Sequence, residues 1–254
     1  MVDIHSHILP GVDDGAQDIA ESIKMAKAAV EQGIHTIVAT PHHLNNRYEN
    51  HKKTIIDRVA ELNLIFEQEQ IDLQVFPGQE TRIYGELLEG YELGEILPIN
   101  QTQYVLIEFS SNHVPQYTEK LFYEMQVRGL IPIIVHPERN QQLIEQPDVL
   151  YKLVKNGALS QITAASVHGA FGKKIKKFSQ QLIEANLTHF IASDAHNTTS
   201  RSFRMREAYG MIQAKYGSEM VYLFKENAAL AIEGKYVYKE PPERIKKKKI
   251  FNLF

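Results

Sequence analysis

The stretch LIPIIVHPERN, residues 130–140, contains the pattern that decides the fold of this chain. Its first part, Leu130–Val135, is a short apolar run typical of a buried β-strand. A helical pattern over residues 117–128 precedes the run and ends at a glycine, and a histidine, a glutamate and an arginine follow the run directly. The unit is therefore a helix, a buried strand, and polar side chains at the end of that strand.

The same unit recurs along the chain. Helices are predicted at residues 19–30, 48–69, 117–128, 147–156, 173–186, 201–216 and 218–232. Strands are predicted at Val2–Ile4, Ile34–Ala39, Leu73–Phe76, Tyr104–Phe109, Leu130–Val135, Leu159–Thr163 and Thr188–Ala192. This alternation predicts an α/β fold with a parallel sheet covered by helices. Seven strands, with no glycine-rich phosphate turn after the first, favour a closed or distorted barrel over a doubly wound sheet.

The composition narrows the possible functions. The formal net charge of −3 provides no overall basic field, so we expect no nucleic-acid partner. The chain has no cysteine, which excludes disulfides, thiolate metal sites and a cysteinyl-phosphate mechanism. No apolar run approaches the roughly 20 residues that span a bilayer, and the first residues lack a signal-peptide pattern. A cytoplasmic location is the resulting expectation.

Side chains that bind metals collect where the predicted strands end. The candidate ligands are His5, His7, Asp14, His42, Glu80, Glu108, His136, Asp194 and His196. In a barrel the carboxyl ends of the strands share one face, so these side chains should meet there. Carboxylates buried at that face without partners would cost several kcal/mol each, and metal ions supply the partner.

The ligand types restrict the metals and the substrate. Nitrogen and oxygen ligands without sulfur suit Mn²⁺, Fe²⁺, Zn²⁺ or Mg²⁺, and so many ligands would serve two or three ions. Four carboxylates set against three dications leave a net charge of about +2, which suits a phosphate ester.

The motifs at the strand ends are recognisable in combination. They are DIHSHILPGVDDG (3–15), ATPHH (39–43), PGQE (77–80), LIEF (106–109), IVHPERN (134–140) and ASDAHN (192–197). Together they resemble the PHP superfamily, named for polymerases and histidinol phosphatases. Within it, their order and spacing are similar to those of the tyrosine-protein phosphatases of bacterial capsule and exopolysaccharide operons, the CpsB/YwqE type.

This resemblance implies a distorted (β/α)₇ TIM-like barrel of the PHP type with a trinuclear centre, usually activated by Mn²⁺. It assigns the ligands to three ions: His5, His7, Glu80 and Asp194 to the first; Glu80, Glu108 and His136 to the second, with Glu80 bridging; and Asp14, His42 and His196 to the third. It assigns phosphate binding and catalysis to Arg139 and Arg201, whose guanidinium groups suit bidentate phosphate contacts.

The resemblance also implies a substrate class. The expected substrates are phosphotyrosine proteins, notably a bacterial tyrosine autokinase and its targets. Hydrolysis is expected in one step, by a hydroxide that lies between two metals. Spacing and composition do not identify phosphotyrosine. A small-molecule phosphomonoesterase, similar to histidinol phosphatase, therefore stays open as an alternative, and so does a non-catalytic metal-binding scaffold.

The end of the chain differs from the rest. We predict one catalytic barrel over residues 1–243 and a separate tail over residues 244–254, RIKKKKIFNLF. Basic and apolar residues together suit weak, salt-sensitive contact with an anionic membrane. A disordered end, or Phe251–Phe254 folding back onto the barrel, are the alternatives.

Other polar residues near the motifs receive structural interpretations. Asp13 is expected to support Asp14 or to cap the following helix, and His43 to lie beside a ligand. Surface or structural roles are expected for His35, His51, His113, His168 and His189.

Overall fold

The structure is a computed structural model, and it describes residues 1–245. Its strands are β1 (Val2–Ser6), β2 (Thr36–Ala39), β3 (His42–His43), β4 (Gln74–Pro77), β5 (Glu80–Arg82), β6 (Tyr104–Glu108), β7 (Ile131–Val135), β8 (Leu159–Thr163) and β9 (Phe190–Ala192). Its helices are α1 (Ile19–Glu31), α2 (Lys52–Gln68), α3 (Leu87–Glu92), α4 (Thr118–Val127), α5 (Gln141–Glu145), α6 (Pro147–Lys155), α7 (Ala164–His168), α8 (Lys173–Glu184), α9 (Met205–Tyr216) and α10 (Ser218–Ile232). Short 3₁₀ helices lie at Ile99–Gln101 and Pro137–Arg139.

The strands form two parallel sheets. The smaller sheet has the order β1-β2-β4, and the larger has the order β3-β5-β6-β7-β8-β9. The chain is thus a mixed α/β protein with parallel sheets, as the alternation of strands and helices predicts.

Two predicted strands are each followed by a short second strand in the other sheet. Thr40 and Pro41 separate β2 from β3, and Pro41 has no N–H to donate to a ladder. Gly78 and Gln79 separate β4 from β5, and a Cβ on Gly78 would lie 2.6 Å from Cγ1 of Val38. The side chain of Val38 approaches Gly78 so closely that a side chain there would collide with it, and the strand breaks at this position.

The edge strands of the two sheets meet. Ser6 of β1 forms an isolated parallel bridge with Ala195, just after β9. The backbone N–H of Asp194 donates to the carbonyl of His5 at 2.9 Å, and that of His7 to the carbonyl of Ala195 at 2.9 Å. These hydrogen bonds hold the carboxyl end of β1 against that of β9.

The hydrophobic core has two parts, because alternate residues of each strand face opposite sides. Val105 and Ile107 belong to a large cluster with the apolar faces of the helices. Tyr104 and Leu106 belong to a smaller cluster made mainly of strand residues. Residues of α10 complete this smaller cluster, and the hydroxyl of Tyr104 donates to the carbonyl of Lys235 at 2.7 Å. The amino-terminal edge of the strands is therefore covered, which leaves the carboxyl-terminal edge for a site.

The chain after α10 runs back along the helices. The N–H of Glu243 donates to the carbonyl of Ala185 at 2.8 Å, and Arg244 pairs with Asp148 at 2.7 Å. Ile245 packs against the larger hydrophobic cluster. The rest of the predicted tail, residues 246–254, lies outside the described residues. Within residues 1–245, no helix combines the length and the apolar character needed to cross a membrane.

Candidate metal centre

The carboxyl-terminal edge of the strands gathers all nine candidate ligands. Those on strands are His5, His42, Glu80 and Glu108; those in the segments that follow strands are His7, Asp14, His136, Asp194 and His196. Eight of the nine side chains are largely buried, and that of Asp14 is 39% exposed. Asp14 therefore marks the mouth of the site.

Glu80 lies at the centre of this group. Its Oε2 is 3.4 Å from Nε2 of His5, 3.3 Å from Nε2 of His7 and 2.8 Å from Nδ1 of His42. Its other oxygen, Oε1, is 2.7 Å from Nε2 of His136. One carboxylate thus touches four histidines from three segments of the chain, as a bridging ligand would.

Three sets of ligand atoms lie close enough together to hold a cation each. They are His5, His7 and Glu80; His7, Asp14, His42 and His196; and His42, Glu80 and Glu108. These sets overlap the predicted assignment without matching it residue for residue. His7, His42 and Glu80 each appear in two of the sets, and His136 appears in none. Asp194, predicted in the first set, lies beside it, with Oδ1 3.5 Å from Nε2 of His5.

Hydrogen bonds behind the histidines fix their orientation. Nδ1 of His7 lies 2.7 Å from Oδ2 of Asp13, and Nδ1 of His5 lies 2.9 Å from Oε1 of Gln161. Nδ1 of His196 lies 2.9 Å from the carbonyl of Asp194. An acceptor at Nδ1 places the proton there and leaves the Nε2 lone pair free, the arrangement found behind metal-binding histidines.

Asp13 has a different partner from those predicted. Its carboxylate accepts from the backbone N–H groups of His42 at 3.1 Å and Gly15 at 2.9 Å, besides holding His7. Asp18 caps α1 instead, by accepting from the N–H of Glu21 at 2.8 Å. A Cβ on Gly15 would collide with the backbone of His7, so this glycine lets the loop fold tightly over the histidine.

Several buried polar atoms at the centre have no partner in hydrogen-bond geometry, although other ligand atoms lie close to them. They are Nδ1 of His42, Oε2 of Glu80 and Nε2 of His196. Each unpartnered buried group costs about 1–3 kcal/mol, so several in one place call for a ligand. The atoms are nitrogens and oxygens, the donor set that Mn²⁺, Fe²⁺ and Zn²⁺ accept. The residues fit divalent cations.

The charges at the centre are strongly coupled. Burial lowers the pKa of His42, but the charge of Glu80 and the hydrogen bond to Asp14 outweigh it and raise this pKa to about 10. Burial and the charge of Glu80 raise the pKa of Glu108 to about 7. Burial and the charge of Arg139 lower the pKa of His136 to about 4. Carboxylates packed this closely repel one another, and cations would relieve that repulsion.

The two predicted arginines lie at the mouth of the centre. Arg139 pairs with Oδ2 of Asp194 at 2.6 Å, and Arg201 lies 3.3 Å from the same oxygen and 3.5 Å from Oδ2 of Asp14. Both line a cavity of about 250 Å³ that also reaches Glu108. Two guanidinium groups therefore face a space that opens directly onto the candidate ligands.

A third arginine was not predicted. Arg82 lies 3.0 Å from Oε2 of Glu108 and donates to the carbonyl of Phe109 at 2.9 Å. The signal was present in the sequence: Arg82 is two residues after Glu80 on an extended segment, so both side chains point to the same side. Gln161 carried no such signal, because it is 156 residues away from His5.

The other histidines lie apart from the candidate ligand sets. His35 pairs with Asp72, His51 with Glu49, and His113 with the hydroxyl of Ser110. His43 and His189 are buried, and the Nδ1 of each accepts a backbone N–H, from Asn50 at 3.2 Å and from Ser160 at 3.1 Å. His168 ends α7.

Comparison with known sequences identifies relatives over the whole chain. The sequence model of the family described as capsular polysaccharide synthesis, CpsB/CapC, matches residues 1–233. Tyrosine-protein phosphatase YwqE of Bacillus subtilis (strain 168) is 50% identical over 254 residues, which cover 100% of both chains. Putative tyrosine-protein phosphatase CapC of Staphylococcus aureus is 44% identical over 254 residues, again covering 100% of both chains.

Comparison with solved structures gives the same family. A crystal structure from a study of YwqE from Bacillus subtilis and CpsB from Streptococcus pneumoniae matches with a TM-score of 0.95 and 50% identity. The match covers 97% of this chain and 100% of that chain. Those two proteins are described as unique metal-dependent tyrosine phosphatases.

Proposed function

The chain belongs to the CpsB/CapC family of capsular polysaccharide synthesis proteins, and we propose on this premise that it is a metal-dependent tyrosine-protein phosphatase. The observation that carries the proposal is the convergence of nine nitrogen and oxygen ligands on a cavity lined by two arginines. The relatives named tyrosine-protein phosphatases cover the full length of this chain, so no part of the site is missing from the comparison.

We infer that the two sheets form one distorted (β/α)₇ barrel. β3 follows β2 and β5 follows β4 after two residues each, and β3 and β5 pair with each other as β2 and β4 do. If β2 with β3, and β4 with β5, are each counted as one interrupted strand, the barrel has seven strands in sequence order from β1 to β9. The bridge between Ser6 and Ala195 supports contact between the first and last positions.

We propose that the centre holds two to three Mn²⁺ ions, with Fe²⁺, Mg²⁺ or Zn²⁺ as alternatives. The nine candidate ligands would hold them, and Glu80 would contact more than one ion because both its oxygens face ligand atoms. Such ions supply a water of lowered pKa and neutralise phosphoryl charge.

The residues of the chain bind and orient the phosphate. Arg139 and Arg201 approach Asp194 from the cavity side, so their outward N–H groups can donate to the phosphoryl oxygens. The hydrogen bonds from Asp13 and Gln161 keep the Nε2 atoms of His7 and His5 directed inward during turnover. A tyrosine leaving group has a pKa near ~10, so it departs without a dedicated general acid.

The proposed substrates are phosphotyrosine proteins, and the proposed partner is a bacterial tyrosine kinase with its targets in capsule or exopolysaccharide synthesis. The family supports this pairing, since it is named for capsular polysaccharide synthesis. A cytoplasmic location follows from that partner. The catalytic unit is proposed to be residues 1–243, and membrane contact through residues 244–254 stays a prediction.

A three-substrate assay tests the proposed function. A phosphotyrosine peptide, the matching phosphoserine peptide and histidinol phosphate are offered at equal concentration with Mn²⁺ present. The phosphotyrosine peptide should be hydrolysed with a kcat/KM at least ~100-fold above the other two, since a phenolate leaves more easily than an alkoxide. Preference for histidinol phosphate would make the chain a small-molecule phosphatase. Hydrolysis of none would indicate a metal-binding scaffold.

A further inference from the structure

Helix α8 begins with an unusual run of positive charge. Its first five residues are KKIKK, with lysines at 173, 174, 176 and 177 and no acidic residue in the first turn. Cations near a helix amino terminus are unfavourable, because the helix dipole is positive there. The run is therefore not explained by the stability of the helix itself.

These lysines also lack acidic partners. Within the described residues 1–245, no carboxylate lies within 4.0 Å of any of the four. Lys176 donates to the carbonyl of His168 at 3.2 Å, so its ammonium group has a structural partner. Lys173 and Lys174 are exposed at the tip of the helix. By contrast, Lys215 on the next helix pairs with Glu184 at 2.8 Å.

The residue that precedes α8 by two positions, Phe171, lies beside Arg139, and Arg139 lines the cavity. Helix α8 contacts the 3₁₀ helix Pro137–Arg139, and the guanidinium of Arg139 lies 5.5 Å from the ring centroid of Phe171. Phe171 is half-exposed and precedes Lys173 by only two residues. Two residues of extended chain span at most ~7 Å. A peptide bound at the cavity would therefore bring Lys173 within reach of its residues one or two positions from the phosphotyrosine.

The part of the site near His42 has a different charge. Tyr48 stacks on His42 with ring centroids 6.2 Å apart, and the guanidinium of Arg47 lies 5.4 Å from the Tyr48 ring centroid. Glu49 follows immediately in sequence, so this side carries one arginine and one glutamate. The α8 side differs in carrying four lysines within five residues and no acidic residue in the first turn.

We propose that Phe171, Lys173 and Lys174, here called the basic rim, bind the acidic stretch of polypeptide that flanks the phosphotyrosine. This inference rests on the proposed function, because it names the substrate context of the same site. A phosphoryl group held by Arg139 leaves the next residues of its chain beside Phe171. Acidic side chains one to three positions away then meet Lys173 and Lys174. The aromatic ring packs against Arg139 and keeps that guanidinium turned toward the phosphate.

The test uses the full chain with Mn²⁺ and compares substrates by their flanks. One phosphotyrosine peptide carries three glutamates beside the phosphotyrosine, a second carries glutamines there, and p-nitrophenyl phosphate carries no peptide. The variant Lys173→Gln/Lys174→Gln removes the basic rim's charge. The variant Lys152→Gln/Lys155→Gln removes the same charge from the last turn of α6, at the opposite edge of the strands.

The native enzyme should prefer the glutamate peptide, with a lower KM and similar kcat, and the preference should shrink as salt rises. Lys173→Gln/Lys174→Gln should reduce kcat/KM for the glutamate peptide by about 3- to 10-fold, the range for two exposed ion pairs. It should leave p-nitrophenyl phosphate hydrolysis and the Tm unchanged, and Lys152→Gln/Lys155→Gln should behave as the native enzyme.

Two results would overturn the inference: equal kcat/KM for both peptides in the native enzyme, or an undiminished glutamate preference in the Lys173→Gln/Lys174→Gln variant. Either result would leave the proposed function standing. Hydrolysis of p-nitrophenyl phosphate with no turnover of either peptide would instead overturn the proposed function.

Discussion

Near the amino-terminal edge of the strands the buried Asn227 side chain has complete hydrogen bonds, whereas at the carboxyl-terminal edge several buried nitrogen and oxygen atoms have no partner in hydrogen-bond geometry. Near the first edge, the amide of Asn227 donates to the carbonyls of His189 and Tyr238 and accepts the N–H of Tyr238 at 2.8 Å. At the other edge, Oε2 of Glu80 is equally buried and faces three imidazole nitrogens, none of them in hydrogen-bond geometry.

The difference separates structural polar groups from functional ones. A buried group whose hydrogen bonds are complete stabilises the fold, because its desolvation is compensated locally. Buried groups that face one another with free lone pairs need a ligand from outside the chain, such as a cation, to compensate their desolvation. The comparison therefore indicates a ligand at the carboxyl-terminal edge of the strands.

Removing the central carboxylate should give the largest effect. Glu80→Ala should lower kcat by at least ~100-fold, as expected for loss of a major electrostatic stabiliser, because the histidines around it lose their shared partner. Steady-state kinetics with a phosphotyrosine peptide and Mn²⁺ measures the loss. Circular dichroism should show an intact fold. Near-native turnover in this variant would mean that Glu80 is not a ligand.

Arg139→Lys should have a smaller effect of a different kind. Lysine keeps the positive charge but loses the planar fork that contacts two oxygens at once. KM for the phosphotyrosine peptide should rise by about 10-fold, the scale of one charge-assisted hydrogen bond. Metal content, measured on the same preparation, should not change. Unaltered kinetics would mean that Arg139 does not contact the phosphate and only forms an ion pair.

Asn227→Ala tests the opposite edge. The substitution leaves the buried carbonyl of His189 and the partly buried N–H and carbonyl of Tyr238 without their partner, so the free energy of unfolding should fall by about 1–3 kcal/mol. Urea denaturation measures this change. The kcat of the folded fraction should match the native value, since Asn227 is remote from the ligands. A selective loss of kcat with unchanged stability would break the distinction between the two edges.

His189 gives the smallest effect, visible only through pH. Burial and the charge of Lys239 lower its pKa to about 3, against about 6.5 in an unfolded chain. Between these values the unfolded state binds a proton that the folded state does not, so stability falls as pH falls below 6.5. From pH 7.5 to pH 5.5 this residue should contribute a loss of about 1.4 kcal/mol.

Comparing the native protein with His189→Gln, both with chelator, isolates that contribution. Both proteins share every other titrating group, so the difference between their pH dependences belongs to His189. The variant should lose about 1.4 kcal/mol less over the same pH interval. Identical pH dependences would mean that His189 titrates normally in the folded protein.

The sequence predicted the parts of the fold that have strong local periodicity. Helices α9 and α10 end close to their predicted limits, and β8 matches its predicted range, because each has an apolar face or run of sufficient length. The short elements were missed. α3, α5 and α7 contain five or six residues each, too few to show a helical period.

The candidate ligands could be predicted because they stand beside the strands in sequence as well as in space. Their supporting residues could not. Gln161 orients His5 through a contact between β8 and β1, and no local pattern marks such a pair. Asp13 lies next to a candidate ligand in the sequence, but its position before α1 suited a helix cap equally well. Only the fold of the loop brings its carboxylate to Nδ1 of His7.

Elemental analysis of the purified protein tests the central claim most directly. If the unpartnered groups at the carboxyl-terminal edge form a metal centre, an active native preparation should contain two to three divalent ions per chain. Chelation should remove them together with activity, Mn²⁺ should restore both, and Asn227→Ala should retain the full complement. A preparation that hydrolyses phosphotyrosine with no bound metal would contradict the account.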